Sequence, residues 1–429
     1  MKSFFRGIVA GFLAFLARAV IRKYQPKIVM VTGSVGKTST KDAVAAALTE
    51  NYYLRASEKS YNSEFGVPFT IFGVSNPWTS VTSWVQIVQE ALGLIFFPNH
   101  YPTMLVLEVG ADRPGDLAKI LEIATPDAVV VTHLPSVPVH VEAYASPQAV
   151  HEEEFAPAYA LHGDAPLVVS ADDGTSREMA SRLAASTTTF GFSKGADVEL
   201  LDPEPVITKG KISGMQAKVI AGGKQYPLVV TGAIGRPQLY APAAALAVAL
   251  ALGVSATDAL KGLSKYVPPP GRARILPGKN GATLIDDSYN ASPAAVLESL
   301  SALSLMKDAR RKIAVLGDML ELGRYSVEEH ARVGTQAGKS VDLLITVGVR
   351  ARALATAARA AGLPENLVRE YDSAKEAAEA LLEIVGEGDL VLIKGSQSIR
   401  TERIVAKLLE NPEDKKKLVR QEKEWLLIK

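Results

Sequence analysis

The 429-residue sequence predicts an α/β protein. Its central domain should hold a doubly wound, mostly parallel sheet around a P-loop, with a small β subdomain; a Rossmann-like α/β domain should follow. Three observations carry this. From residue 28 to about 190, the apolar runs IVMVTG, TMLVLEVG, AVVVTHL and PLVVSADD alternate with Ala-rich helical stretches, as strands buried on both faces do. PPPGR at 268–272 ends any helix and stiffens the chain, which marks a hinge. Beyond it TLIDD, KIAVLG, LLITVG and DLVLIKG alternate with helices such as AKEAAEALLEIV. The expected divisions are a basic apolar helix at 1–25, a central domain at 26–267 and a second domain at 268–429.

A chain of this length forms two or three domains with substantial cores. At 48% hydrophobic and 22% charged residues, the composition is that of a globular α/β enzyme. A net charge of +1 provides no basic field for nucleic acid. The absence of cysteine excludes disulfides, thiolate metal sites and a cysteine nucleophile, and fits a cytoplasmic enzyme.

The N-terminus is basic and apolar. No acidic residue precedes Asp42, while Lys2, Arg6, Arg18, Arg22 and Lys23 surround GIVAGFLAFLA at 7–17. Eleven uncharged residues fall short of the roughly 20 that cross a bilayer. No small-residue cleavage site followed by a polar start is evident, so a signal peptide is not expected. Two readings stand for residues 1–24: a helix packed on the protein, or a peripheral anchor at the inner face of an anionic membrane. A second apolar stretch, WTSVTSWVQIVQEALGLIFFP at 78–98, reads as a core helix that would extend the same surface if it lay nearby.

Residues 28–40, IVMVTGSVGKTST, read as a strand, a glycine turn and a helix start. The amides from Gly33 through Ser34 and Val35 to Gly36 would cradle phosphate oxygens at a helix N-terminus. Lys37 would neutralise the β- and γ-phosphates of ATP, and the Thr38 hydroxyl is placed for Mg²⁺. Only two residues separate Gly33 from Gly36, where the common nucleotide loop has four. An ordinary turn is the plain alternative; the strand before and the helix KDAVAAALTE after favour the phosphate loop. Glu108 ends the run MLVLE at the carboxyl edge of the sheet, where open α/β sheets bind ligands. A hard carboxylate there suits Mg²⁺ shared with Thr38. Residues 197–232 lack a helical period and read as a small antiparallel subdomain, followed by an Ala-rich helix at about 241–252. The tail EDKKKLVRQEKEW reads as a solvated terminal helix.

Seven segments together resemble the Mur ligase family, in its MurF type. They are TGSVGKTS (32–39), YNSEFGVP (61–68), LEVGADRPGD (107–116), PPGR (269–272), DDSYNASP (286–293), VLGDMLELG (315–323) and LIKGSQSIRTER (392–403), in family order. The resemblance implies an ATP- and Mg²⁺-dependent amide ligase of peptidoglycan-precursor synthesis, a cytoplasmic monomer. Such an enzyme turns the terminal carboxylate of a muramoyl-peptide precursor into an acyl phosphate, which D-alanyl-D-alanine displaces, releasing ADP and phosphate. By the same resemblance Thr32 to Ser39 contact the nucleotide, and Glu108 and His140 are metal ligands. Arg272 and Lys394 neutralise phosphate charge, Asp287 and Asn290 form a nucleotide-contacting loop, and Asn62 faces substrate. Asp318 and Glu321, with His330, shape the site for the incoming amine.

The chain also departs from the family pattern. Aligning SPQAVHEEEF places Glu154 where the family has a carbamylated lysine, so Glu154 is expected to supply that negative charge directly and support the metals. The family's GxHNxxNxxAA would put asparagine at position 241, where this chain has Ala241. Family members begin with a UDP-sugar domain, yet the phosphate loop here starts at residue 33, a departure that leaves recognition of the UDP moiety open. Two rivals follow: the same chemistry on a lipid-linked or non-UDP peptide acceptor, and a nucleotide-binding scaffold for a wall-synthesis partner. The retention of Lys37, Glu108, Arg272 and Lys394 stands against the scaffold.

Overall fold

The computed structural model describes residues 2–78, 80–183, 185–208, 210–306 and 309–427. Nine strands form the first sheet: β1 (Lys27–Thr32), β2 (Leu54–Ala56), β3 (Met104–Glu108), β4 (Ala128–Val131), β5 (Leu167–Ser170), β6 (Thr187–Gly191), β7 (Val198–Thr208), β8 (Lys211–Ala221) and β9 (Lys224–Thr231). Their order is β2-β3-β1-β4-β5-β6-β7-β8-β9. Pairing is parallel as far as β7 and antiparallel from β7 to β9. The segment 197–232 is therefore no detached unit. Its first strand pairs with β6 through Phe190 and Val198, and the hairpin extends the same sheet.

Alternation along each strand builds two hydrophobic layers. Val29 and Val31 of β1 face one layer, Ile28 and Met30 the other. The helices are α1 (Lys2–Tyr24), α2 (Lys37–Leu48), α3 (Gly66–Phe72), α4 (Val81–Phe96), α5 (Asp116–Leu121), α6 (Pro147–Tyr159), α7 (Gly174–Ala180), α8 (Pro237–Ala251) and α9 (Ala256–Leu263). α2, α8 and α9 cover the Val29 face; α1 and α3 to α7 contribute to the Ile28 layer. α8 begins at Pro237, whose fixed φ suits the first helical turn. Its residues Ala243 to Ala249 are all buried, because small side chains let it lie close to α2 and the sheet.

Leu13, Leu16, Ala17 and Val20 form one buried stripe of α1. At its end Lys23 donates to the carbonyls of Leu94 (2.8 Å) and Phe97 (2.7 Å), which closes the C-terminus of α4. α1 thus packs on the protein, and among the described residues no helix is long and apolar enough to cross a membrane. Its opposite stripe, Ile8, Phe12 and Phe15, is exposed. α4 departs from the expected core helix: it buries only Ile87, Ala91 and Leu94, and leaves Val85, Phe96 and Phe97 in solvent.

The second sheet contains β10 (Arg274–Pro277), β11 (Thr283–Asp287), β12 (Arg311–Gly317), β13 (Leu343–Val347), β14 (Val368–Tyr371) and β15 (Asp389–Lys394), ordered β10-β11-β15-β12-β13-β14. Only the β10 edge is antiparallel. Its helices are α10 (Pro293–Ser304), α11 (Ser326–Ser340), α12 (Ala351–Ala360), α13 (Ala374–Ile384), α14 (Glu402–Leu408) and α15 (Lys423–Leu427). The tail is not one solvated helix. A 3₁₀ turn at Pro412–Lys417 leads to buried Leu418 and Arg420 before α15 begins, because these side chains have partners in the second domain.

Gly262 shows how tightly α9 meets α2: a Cβ there would lie 2.1 Å from the Ala46 carbonyl oxygen. Gly→Ala inside a helix normally gains up to about 1 kcal/mol. Here Gly262→Ala should instead cost about 1–3 kcal/mol through overpacking and lower the thermal midpoint. An unchanged or higher midpoint would contradict the contact.

Candidate active site

The carboxyl ends of both sheets open on one cleft of about 1990 Å³ between the domains. In the first sheet β1 lies between β3 and β4, a topological switch that leaves a crevice beyond the strand ends. Gly33, Glu108 and Thr132 stand at those three ends. In the second sheet, Asp287 ends β11, Lys394 ends β15 and Asp318 follows β12.

The phosphate loop has the conformation its glycines allow. Gly33 has φ 117° and Gly36 φ 91°, both in the region that L side chains avoid. A Cβ on Gly33 would also lie 2.4 Å from Thr132 Oγ1. Lys37 folds back over the loop: its amine donates to the Gly33 carbonyl and sits 3.5 Å from Glu154 Oε1. Ser34 Oγ is buried without a partner among the described residues.

Thr38 Oγ1 is the hub of the site. It lies 2.9 Å from Ser60 Oγ, donates to Glu108 Oε1 at 3.2 Å, and accepts from Arg272 Nη2 at 3.1 Å. Glu108 is 2% exposed, and its other oxygen, Oε2, has no partner among the described residues. Burial pushes its carboxyl above the ordinary range, against the pull of Lys41, Lys37 and Arg272. An orphaned carboxylate oxygen beside two hydroxyls is a hard-oxygen donor set, which fits a divalent cation such as Mg²⁺.

The other expected ligands face different partners. His140, itself at φ 64°, has Nδ1 3.0 Å from Glu321 Oε2 and Nε2 3.5 Å from Asp112 Oδ1. Burial opposes its charge, but Glu321 and then Asp112 outweigh it and raise the imidazole pKa. The hydrogen bond to His140 correspondingly holds the Glu321 carboxyl below its usual range. Glu154 turns to the phosphate loop: Oε2 accepts from Thr32 Oγ1 (2.8 Å) and from the Gly33 amide (3.2 Å). Among the described residues no three acidic or histidine side chains converge on one point. Thr38, Glu108 and His140 line the cleft while Glu154 is buried behind the loop, so the four do not form one cluster.

From the second domain Arg272 reaches across to Thr38, with its guanidinium 3.7 Å from the Tyr289 ring centre. Lys394 is 3% exposed, 2.7 Å from Asp287 Oδ2, and it donates to the Asn290 carbonyl at 3.0 Å. Its charge is neutralised within the domain, and it shapes the 286–290 loop. Asp318 does not face the cleft: Oδ1 accepts from the Ala351 amide at 2.7 Å, at the start of α12. His330 is fully buried, donating to the Ser326 carbonyl (2.6 Å) and accepting from the Met319 amide (3.0 Å). Both hold the 318–323 turn that presents Glu321. Asn62 stands at the loop end, its carbonyl accepting from the Gly110 amide at 3.2 Å beside the Lys37 side chain. Ala241 lines the cleft on α8 and offers no polar atom there.

Sequence reasoning missed Ser60, Lys41 and Tyr289. Ser60 immediately precedes the YNSEFGVP segment, and Tyr289 lies inside DDSYNASP, so adjacency to a motif was the available signal. Lys41 is wholly buried, donating to the Ser57 carbonyl and pairing with Asp42 at 2.6 Å. A lysine one turn into a helix reads as solvent-facing, and no local pattern marks it otherwise.

Comparison with known proteins agrees with this geometry. The Mur ligase middle domain matches residues 31–249, and the Mur ligase glutamate ligase domain matches residues 271–397. The UDP-N-acetylmuramoyl-tripeptide–D-alanyl-D-alanine ligase of Bacillus subtilis is 26% identical over 92% of this chain and 79% of its own length. The Mycobacterium leprae ligase of the same name is 29% identical, over 91% of this chain and 75% of its own. The crystal structure of MurF ligase from Thermotoga maritima in complex with ADP superposes with a TM-score of 0.75 at 26% identity. It covers 95% of this chain and 84% of that one. With both domain matches in order, and the phosphate loop and its cross-domain arginine meeting in one cleft, this chain belongs to the Mur ligase family.

Proposed function

We propose that this protein joins D-alanyl-D-alanine to the terminal carboxylate of a UDP-muramoyl-tripeptide, using ATP and Mg²⁺, as a cytoplasmic step of peptidoglycan-precursor synthesis. The observation that carries the reading is the meeting of Lys37, Thr38 and Glu108 with Arg272 of the other domain, in a chain similar to MurF ligases over nine tenths of its length.

A carboxylate is a poor electrophile, so the first requirement is to gather negative charge without repulsion. The amides of Val35 and Gly36 and the start of α2 would take the phosphates of ATP, since those of Gly33 and Ser34 are bonded to Glu154 and to the His133 carbonyl. Lys37 would exchange the Gly33 carbonyl for a phosphate oxygen. Thr38, Glu108 and Ser60 would hold Mg²⁺, which supplies charge neutralisation for phosphoryl transfer to the acceptor carboxylate. Arg272 covers the other side of the transferred group. Glu154 keeps the loop in register through Thr32 and Gly33, and its charge balances Lys37 before nucleotide arrives. Asp112 and Glu321, around His140, present carboxylates to the amino group of the incoming dipeptide. The amine then attacks the acyl phosphate and phosphate leaves. Closure of the domains assembles these groups and excludes water from the mixed anhydride.

A second reading keeps this chemistry but uses a lipid-linked acceptor at the membrane face. The exposed stripes of α1 and α4, with Phe12, Phe15, Phe96 and Phe97, favour it. One assay separates the two: ADP release with Mg²⁺-ATP and D-alanyl-D-alanine, offering either UDP-muramoyl-tripeptide or its lipid-linked counterpart, with mass detection. Pentapeptide on the UDP acceptor supports the first reading. Turnover confined to the lipid acceptor supports the second, and ATP binding without either product would sink both.

Glu154→Gln keeps the hydrogen-bond acceptor to Thr32 but removes the charge facing Lys37. Turnover should fall at least about tenfold, the scale of one charge-assisted contact, with an unchanged thermal midpoint. A rate equal to wild type would remove Glu154 from the mechanism.

The His140–Glu321 pair links the domains, which makes closure pH-dependent. Because the folded-state pKa of His140 is raised, the contribution is complete below the ordinary imidazole value and is lost as pH rises through the raised one. The lowered carboxyl of Glu321 keeps the pair intact as pH falls through the ordinary carboxylate range. Small-angle scattering should show the protein expanding as pH rises through that imidazole range, and Glu321→Gln should flatten the change. An equal expansion in the variant would refute the assignment.

A further inference from the structure

We infer that Arg420, in the C-terminal tail, is a positioning residue for Arg272, and that the tail from Leu418 to Trp425 clasps the two domains around the nucleotide site. This deepens the ligase reading and rests on it for its catalytic consequence, though not for its geometry. Arg420 lies beyond both matched domains, which end at residues 249 and 397.

Arg420 is 7% exposed, and its guanidinium grips the centre of the 286–290 loop. Nη1 donates to the Ser288 carbonyl at 3.2 Å, and Nη2 donates to the Tyr289 carbonyl. Tyr289 in turn donates its amide to the Gly271 carbonyl at 3.3 Å. Its ring carries the Arg272 guanidinium at 3.7 Å, and Arg272 bonds Thr38. The relay thus runs from Arg420 through Tyr289 to Arg272 and the phosphate loop. Every link is a contact of a planar group, which fixes orientation as well as distance.

The cost of this arrangement argues for a role beyond packing. Glu402, 2% exposed, sits between Arg400 (2.6 Å) and Arg420 (3.0 Å). A buried Arg–Glu–Arg triad is seldom more stable than apolar residues of equal volume, because desolvation offsets the attraction. Both arginines also take positive φ, 61° and 57°, a left-handed conformation that residues with a Cβ adopt only at a cost. Apolar residues would fill the space at less cost but could not hold two carbonyls in one plane.

The same tail touches the central domain. Glu422 pairs with Lys59, one residue before Ser60, and the Trp425 ring meets Trp78 edge-on at 6.0 Å. Both guanidiniums lie against Trp425, at 5.7 and 5.9 Å. The segment therefore ties the loop that carries Ser60 to the loop that carries Tyr289, on opposite walls of the cleft.

The test uses the full chain. Arg420→Gly removes the guanidinium, relieves the left-handed strain and leaves a space of guanidinium shape. Mg²⁺-ATP affinity is measured by calorimetry, which needs no acceptor, and ligation turnover is measured separately. Affinity and turnover should each fall about tenfold, the scale of a lost charge-assisted contact. Millimolar guanidinium should restore both, while the same concentration of sodium chloride should not. Affinity within twofold of wild type, or a loss that guanidinium leaves uncorrected, would overturn the inference. Trp425→Ala guards against a variant that fails to fold: it keeps Arg420 and should weaken ATP binding less than Arg420→Gly does. A wild type that binds ATP but forms no product would refute the ligase reading and leave the affinity test of Arg420 standing.

Discussion

The contact at the centre of the site is the 3.1 Å hydrogen bond from Arg272 to Thr38, made across the cleft. Thr38 belongs to the helix behind the phosphate loop and Arg272 to the hinge before the second sheet, 234 residues away in the chain. With that contact made, the carboxyl edges of two mostly parallel sheets face each other, and Glu108 and Arg272 meet at Thr38. Parallel sheets put their loops at one end by construction, so the joining of two such ends needs few direct bonds. Those bonds carry charge, and their strength grows as closure removes water.

The electrostatics of the cleft are tuned by burial as much as by pairing. Glu108 is buried with one oxygen unsatisfied, a state that raises its proton affinity and that a divalent cation would relieve. Lys37 and Glu154 neutralise each other in the resting loop, and Lys394 is neutralised by Asp287. Of the cations expected at the phosphates, Lys394 alone is locked in a short ion pair of its own domain. Arg272, stacked on the Tyr289 ring and bonded to Thr38, is the second-domain cation that reaches the opposite wall of the cleft. The distinction follows from planarity: a guanidinium can stack and donate at once, whereas an ammonium buried beside a carboxylate at 2.7 Å stays there.

Much of the fold was legible because strand burial writes itself into runs of Val, Ile and Leu, and the break before the second sheet into PPPGR. The phosphate loop was legible because its glycines answer a backbone demand at Gly33 and Gly36. The antiparallel segment was legible as strands but not as part of the main sheet, since the β6–β7 pairing is a register between distant residues. Glu154 was legible as acidic and near the site, yet its direction was not: a helix places a side chain on a face, and only packing decides that this face meets Thr32. His330 and Asp318 sit in a motif, but their hydrogen bonds go to backbone amides that support the turn, which no spacing reveals.

The sequence by itself determined the α/β class, the glycine turn that opens α2 and the family, because each rests on local backbone chemistry or on short segments in fixed order. Tertiary structure decided which charges meet. Whether a cation is free or paired, whether an oxygen is orphaned, and whether a charged tail is solvated or buried beneath Tyr289 all depend on residues hundreds of positions apart. The physical reason is that backbone preferences act over a turn or a strand, while electrostatic pairing and burial act through space after the chain has closed on itself.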